Sequence, residues 1–283
     1  MRLNRPALPL VVAALLGGAI ALPMAQQTDS VPVPLSDAAR PATVRVETMN
    51  GSVVVRGENR KDVLVTSRGG NDNDRGRRGR GPRGNQPDPS TAGLQRLTQN
   101  AGLEITEANN VVSIESGMSH GGEIEIRVPS RTNLKLEGLN GAGITVENVE
   151  GEIEAEHLNG GIRLTNVSGS VVAEAHNGNV TVVLTRLAGE KAMSFISFNG
   201  NVDVTLPAAA KANMRMRSDN GDVFTDFNLQ LGQTPQPQPD RRNGRFKVEI
   251  NQSINGTING GGPEFELRTF NGNVYLRRGG AQQ

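Results

Sequence analysis

One dipeptide returns through this chain on a regular clock, and the clock limits the folds open to it. Asn-Gly stands at Asn140-Gly141, Asn159-Gly160, Asn177-Gly178, Asn199-Gly200 and Asn220-Gly221, spaced by 19, 18, 22 and 21 residues, with copies at Asn50-Gly51 and Asn271-Gly272. Between 133 and 178 the sequence divides into units of nine: "NLKLEGLNG" (133–141), "GITVENVEG" (143–151), "EIEAEHLNG" (152–160), "GIRLTNVSG" (161–169) and "SVVAEAHNG" (170–178), with Ala142 inserted after the first. Positions 2 and 4 of each unit are apolar, and positions 3 and 5 are mostly polar or charged. Alternation with a period of two marks a strand with one buried face. The closing glycine supplies a positive φ that other residues resist. Asn-Gly closes only alternate units, so the true repeat is about 18–22 residues.

Two architectures fit such a repeat. In an antiparallel β-sandwich each Asn-Gly makes a type I′ hairpin turn. In a parallel β-solenoid each period is one coil, and equivalent residues stack about 4.8 Å apart. Self-similarity near 20 residues favours the solenoid. So does the fixed place of Asn, which would stack as an amide ladder. The buried positions Ile153, Ala155, Ile162, Leu164, Val171 and Ala173 are small or branched and suit a narrow interior. The expected fold is therefore all-β: a right-handed β-solenoid over residues 41–276 with short terminal caps, the hand following the crossover rule. The stretches "IRVPSRTNLKLEGLNG" (126–141) and "VTLPAAAKANMRMRSDNG" (204–221) echo each other, and proline cannot donate to a ladder. Pro129 and Pro207 should therefore lie at strand ends.

Composition agrees. Glycine accounts for 35 of 283 residues, with no Trp and one Tyr, which leaves little bulk for a thick helical core. A net charge of +1 gives no global pull toward nucleic acid or membrane. The absence of cysteine excludes disulfides, thiol catalysis and a lipid-bearing cysteine. Residues 1–25 read as a secretory signal peptide: Arg2 and Arg5, an apolar run from Leu8 to Leu22, and small residues around Ala19–Ala21 and Ala25. The mature chain would be exported to the periplasm or cell surface, with a disordered 26–40 segment, a 277–283 tail and no transmembrane span after signal removal.

Two stretches leave the clock. The insertion at 68–92 carries an Arg/Gly-rich tract (68–90) with six Arg, three Asp and no apolar side chain beyond proline, and it is expected to be disordered. Its Arg75, Arg77, Arg78 and Arg80 could hold anionic envelope polymers or glycans through their guanidinium groups; the competing reading is a plain solvated loop. Residues 231–245 form a Pro/Gln-rich link to a final pair of strands, Phe246–Ile250 and Phe265–Leu267, expected to help cap the solenoid.

Within the repeat, Glu137, Glu156 and Glu174 occupy position 5 of alternate units and should stack as an outward ladder. Like charges so close repel, which raises proton affinity or recruits a metal cation. Arg217 and Arg268 continue the same column and could relieve it. Phe224 and Tyr275 fall at outward positions, and Phe198 and Phe270 precede the corner asparagine. They would either form a stacking surface for a ligand or pack under the link. His157 and His176 stand at positions 6 and 7 and should point to opposite sides, so no shared metal is expected. No motif calls for a cofactor or a specific nucleic acid, and the oligomeric state is open. The glutamates lack an acid/base partner in a distinct environment, and Asp203 and Asp222 read as turn residues. A non-catalytic protein is expected; the alternative is a carbohydrate-active β-helix enzyme acting on an acidic polysaccharide.

The alternation in "FELRTFNGNVYL" (265–276) and "VRVETMNGSVVV" (44–55) carries a family resemblance. The segment "INGGGPEFELRTFNGNVYL" is similar to the C-terminal end of bacterial adhesin-like domains of unknown function, related to head-domain auto-transporter adhesins that fold as β-helices. The resemblance covers about residues 41–276. It implies an exported β-solenoid of the envelope or surface with a binding or structural role, and it brings no catalytic residues.

Overall fold

The computed structural model describes residues 29–68, 102–118, 121–187, 190–232, 240–242, 245–247 and 253–279. The signal-like segment, Arg75, Arg77, Arg78 and Arg80, His120 and much of the Pro/Gln-rich link lie outside the described residues. Among the described residues every regular element is a β-strand.

The alternation becomes burial. Along Glu150–Asn177 the side chains of Ile153, Ala155, Ile162, Leu164, Val171 and Ala173 are buried, while Glu154, Glu156, Arg163 and Glu174 between them are exposed. Each Asn-Gly is a corner between two walls: one wall leads into it, the other leads away. Equivalent residues of successive coils pair in parallel, Leu134 with Ile153 and Asn140 with Asn159 on the first wall, Ile144 with Ile162 and then Val180 on the second. The Asn-Gly pairs therefore turn the chain within a coil instead of reversing it within a sheet, which sets aside the sandwich.

The corner is held by the residues that mark it. Asn159 Nδ2 donates to Asn140 Oδ1 at 2.9 Å, Asn177 to Asn159 at 2.8 Å, Asn199 to Asn177 at 2.8 Å, Asn271 to Asn199 at 2.8 Å and Asn220 to Asn271 at 3.0 Å. Glycine is required beside them because the backbones nearly touch. Gly141 has φ +143°, and a Cβ there would lie 1.7 Å from the Gly51 carbonyl oxygen. Inside the corner, hydroxyls tie adjacent coils: Ser197, Thr269 and Ser218 donate to the carbonyls of Gly178, Gly200 and Gly272 at 2.8, 2.7 and 2.8 Å.

The coils do not stack in chain order. In space they run Val111–Ser116 with Glu123–Pro129, then 42–58, 132–147, 150–165, 168–187, 193–207, 264–279 and 212–225. At each end the chain skips one slot, and a segment distant in sequence fills it: Ala42–Glu58 at one end, Glu264–Gly279 at the other. Antiparallel strands then close both ends. Leu103–Ala108 pairs with Val111–Ser116, and Asp62–Arg68 pairs with Glu123–Pro129. At the far end Ile254–Ile258 lies beside Ala212–Asn220, with Gln230–Leu231 beyond.

Two expectations are corrected here. Asp29–Pro34, within the segment expected to be disordered, is an edge strand on Asp62–Arg68. Val31 and Val33 give it an alternating pattern, and Pro32 and Pro34 suit an edge where no further strand pairs. Phe265–Leu267 is not a cap: it pairs in parallel on both sides, with Met193–Phe195 and with Met214–Met216. Phe265 is fully buried against Phe195, ring centroids 6.3 Å apart. Pro129 and Pro207 are the last residues of their strands.

Candidate functional site

The pairing register stacks outward side chains of the first wall into columns. One column reads Glu115, Glu47, Glu137, Glu156, Glu174, Ile196, Arg268 and Arg217. The predicted ladder of Glu137, Glu156 and Glu174 is thus present and is longer than the local sequence showed, because the skipped slot brings in Glu47. Two positions along each strand, just before the corner asparagine, lies a second column: Met49, Leu139, Leu158, His176, Phe198 and Phe270, followed by Asp219. Met49, Leu139, Leu158, Phe198 and Phe270 are each about 40% exposed, at 43, 41, 40, 42 and 39%.

The acidic and apolar columns border a groove of about 890 Å³, lined among others by Glu47, Glu115, Glu137, Glu156, Met49 and Leu158, with Leu103 and Glu104 at its head. A cleft of about 240 Å³ extends the line past His176 to Phe198, Phe270 and Arg268. The rings of His176, Phe198 and Phe270 stack face to face at 4.9 Å with interplanar angles of 3 and 4°. Their faces are occupied by one another and their edges meet solvent. That geometry offers an apolar ridge, not the open ring face on which a sugar would stack.

Charge in the groove is poorly balanced. Burial and the neighbouring Glu137, Glu154 and Glu174 push the Glu156 carboxyl above its ordinary pKa. Lys135 reaches Glu137 at 3.2 Å and Glu154 at 4.0 Å, and its own pKa is raised by the hydrogen bond to Glu137 and by Glu154. The expected relief by Arg217 and Arg268 does not reach the middle of the ladder. Both lie beyond Ile196 and share Asp219, at 2.6 and 3.7 Å. The glutamates stand in line without converging. Among the described residues no group of three or more His, Cys, Asp or Glu side chains is arranged to hold a metal ion.

His157 and His176 do point to opposite sides. His176 joins the exposed ridge, while His157 is 3% exposed beneath the groove, wedged over Gly138, with neither ring nitrogen hydrogen-bonded. Burial pushes its pKa down, which favours the neutral ring. Phe224 and Tyr275 stack at 5.3 Å on the second wall, away from the groove, and Arg277 lies 5.1 Å over the Tyr275 ring. They do not join Phe198 and Phe270 in one surface. Asp203 is a strand residue beside Tyr275 that accepts from Arg277 Nε at 2.8 Å, so its turn assignment is corrected. Asp222 keeps its place at the corner, where its N–H donates to Asn273 Oδ1 at 2.9 Å.

The sequence frame omitted Glu47, Met49 and Glu115. Placing "VETMNG" over "LEGLNG" puts Glu47 on Glu137 and Met49 on Leu139; that alignment was the available signal.

Over the described residues the geometry defines an all-β, mostly parallel solenoid with a surface groove. Residues 156–259 match the family described as Toastrack DUF4097, so over that stretch the chain is similar to a domain of unknown function. Among solved structures, a putative cell adhesion protein from Clostridium sporogenes is similar at 9% identity, over 89% of this chain and 99% of that one, with a TM-score of 0.40. A putative adhesin from Bacteroides fragilis is similar at 10% identity, over 90% and 98% of the two chains, with a TM-score of 0.29. No curated protein matches.

Proposed function

We propose that this is an exported, non-catalytic protein of the cell envelope or cell surface that acts by binding, in an adhesin-like role, through the first-wall groove. The observation that carries the reading is the pair of adjacent columns, one acidic and one apolar. Stacked like charges cost stability, and a continuous exposed apolar strip marks an interaction surface more often than chance. A partner presenting cationic and apolar groups would relieve both at once. Anionic envelope polymers or glycans fit the Arg75–Arg80 tract instead, since the groove would repel them. A polysaccharide-cleaving enzyme needs two carboxyls set in different environments across one bond, whereas the ladder repeats a single environment. Export rests on the signal-like residues 1–25.

The test is retention of mature protein, from Gln26 onward, on isolated envelope fractions at low and high salt. Retention at low salt that falls severalfold in the Glu137→Gln/Glu156→Gln/Glu174→Gln variant supports the groove. Loss on deleting 68–90 would move the contact to the arginine tract. No retention at any salt would overturn the binding reading.

A further inference from the structure

The outward columns of the first wall change sign along the solenoid. From Glu156 onward the first column runs Glu156, Glu174, Ile196, Arg268, Arg217. The column two residues earlier in each strand runs Glu154, Val172, Ser194, Glu266, Arg215. The ridge runs Leu158, His176, Phe198, Phe270, Asp219. The middle of this strip is apolar, with Val172 40% and Phe198 42% exposed. The charges sit toward its two ends, Glu154, Glu156 and Glu174 at one and Arg268, Arg217 and Arg215 with Glu266 and Asp219 at the other, so the second end carries a smaller, net positive charge. Arg217 and Arg268 share the single carboxylate of Asp219, which leaves net positive charge at that end.

Such a strip is complementary to itself when reversed. A two-fold axis along the strand direction, through the coil that carries Ile196, turns the solenoid end for end and keeps each column facing its own copy. Arg268 then faces Glu174 of the second copy, Arg217 faces Glu156, and Arg215 faces Glu154. Ile196 meets Ile196, Phe198 meets Phe198, and Phe270 meets His176, while Glu266 and Asp219, the latter already held by Arg217, fall opposite Val172 and Leu158. Two-fold symmetry doubles every one of these pairs except those on the axis. An apolar, aromatic centre with a charged periphery is the anatomy of a protein interface.

We infer that this half of the first wall is a self-association surface, occupied by a second copy of the chain lying antiparallel. The inference deepens the binding reading, since it uses the same face. The pairing spans five coils and leaves Glu115, Glu47 and Glu137 outside it, so the head of the groove stays open in the dimer. Five coils of about 4.8 Å and strands of about six residues give roughly 500 Å² per copy, the range of a weak association. Because opposed charges set the register, salt should weaken it.

Sedimentation velocity over a range of concentrations, at low and at high salt, tests this. The wild type should shift toward dimer with concentration at low salt, and the shift should shrink at high salt. Glu156→Arg/Glu174→Arg makes the first column positive at both ends, and Arg217→Glu/Arg268→Glu makes it negative at both ends. Each variant alone should lose dimer affinity at least tenfold, and an equimolar mixture should regain it as a heterodimer. Recovery in the mixture also shows that both variants fold. Ile196→Lys, at the centre, should abolish association while circular dichroism still reports the β-fold. A wild type that stays monomeric at the highest concentrations, or a mixture that stays monomeric, overturns the inference. Envelope retention of the Ile196→Lys variant separates the two readings: retention without dimers leaves the binding proposal standing, and dimers without wild-type retention leave only this one.

Discussion

The outer faces of the two walls share one backbone and one period, yet they arrange charge in opposite ways. On the second wall Glu125 is nearly buried, its side chain 2% exposed, and it receives Arg56 at 2.7 Å, Arg68 at 3.0 Å and Arg127 at 3.1 Å. Those arginines reach outward again, Arg56 to Glu147 at 3.0 Å, Arg68 to Glu123 at 3.0 Å and Arg127 to Glu58 at 3.7 Å. Arg56 lies directly across from Arg127, but the carboxylates of Glu125, Glu147 and Glu58 neutralise both, so the network helps hold coil to coil. On the first wall five glutamates stack, with Lys135 and the exposed Arg45 of the neighbouring column as their near counter-charges. A solenoid that needed only to fold could have paired its charges on both walls. The second wall's pattern serves the fold. The first wall's pattern works against the fold, which is the physical reason to place function there.

The largest test of this contrast is at Glu125. Burial opposes its charge, but Arg127 and Arg56 outweigh burial and hold its pKa below the ordinary value. Glu125→Gln leaves three guanidinium groups facing a neutral amide. Breaking a buried ion pair costs about 3–5 kcal/mol, and since the arginines are roughly half in solvent the loss here should be about 2 kcal/mol. Urea unfolding at neutral pH measures it. A depressed pKa contributes stability above the unfolded-state value and loses it as pH falls through the folded-state value. The gap between wild type and variant should therefore be full at neutral pH and close below the ordinary carboxylate range. A gap that persists in acid would mean Glu125 acts by packing, and the contrast between the walls would weaken.

Next in size is the floor of the groove. A Cβ on Gly138 would sit 2.4 Å from His157 Cδ2, so Gly138→Ala must displace a ring that is only 3% exposed at the groove floor. The single change should cost about 1 kcal/mol, an overpacking penalty. His157→Ala removes the obstacle and two unpaired buried nitrogens while opening a void. The double variant should lose less than the sum of the two, with a coupling of about 1 kcal/mol by a double-mutant cycle in thermal or urea melts. Strict additivity would show that glycine and histidine do not share the space.

Much of this was legible in the sequence, for one reason. A repeat whose neighbours in space are also neighbours in sequence writes its contacts in its own period. Ile153, Ile162 and the Asn140–Asn159–Asn177 ladder follow from the nine-residue frame alone. What stayed hidden required contacts across long separations. Nothing local says that Glu47 stacks on Glu137, 90 residues away, or that Arg268 lies between Ile196 and Arg217. The two motifs that carried the family resemblance, at 44–55 and 265–276, are the two coils inserted out of order. Chain order also mislabelled Phe265–Leu267 as a cap, because position in sequence does not reveal which slot a segment fills.

The smallest expected effect tests the first wall most directly. Glu156 is pushed upward in pKa by burial and by Glu137, Glu154 and Glu174, so its charged form is penalised in the folded state. A raised acid pKa stabilises the fold at low pH, and that stability is lost as pH rises from the ordinary carboxylate range through the raised value. Glu156→Gln escapes the penalty and should be the more stable protein at neutral pH. The gain is a few tenths of a kcal/mol, because the side chain is solvated and the repulsion is screened. It should shrink in high salt and vanish in acid, the reverse of the pH trend at Glu125. Paired melts of the two variants across pH and salt show whether the signs are opposite. If Glu156→Gln instead destabilises at neutral pH and low salt, the ladder is a source of fold stability. The stacked glutamates would then no longer mark the first wall as the functional face.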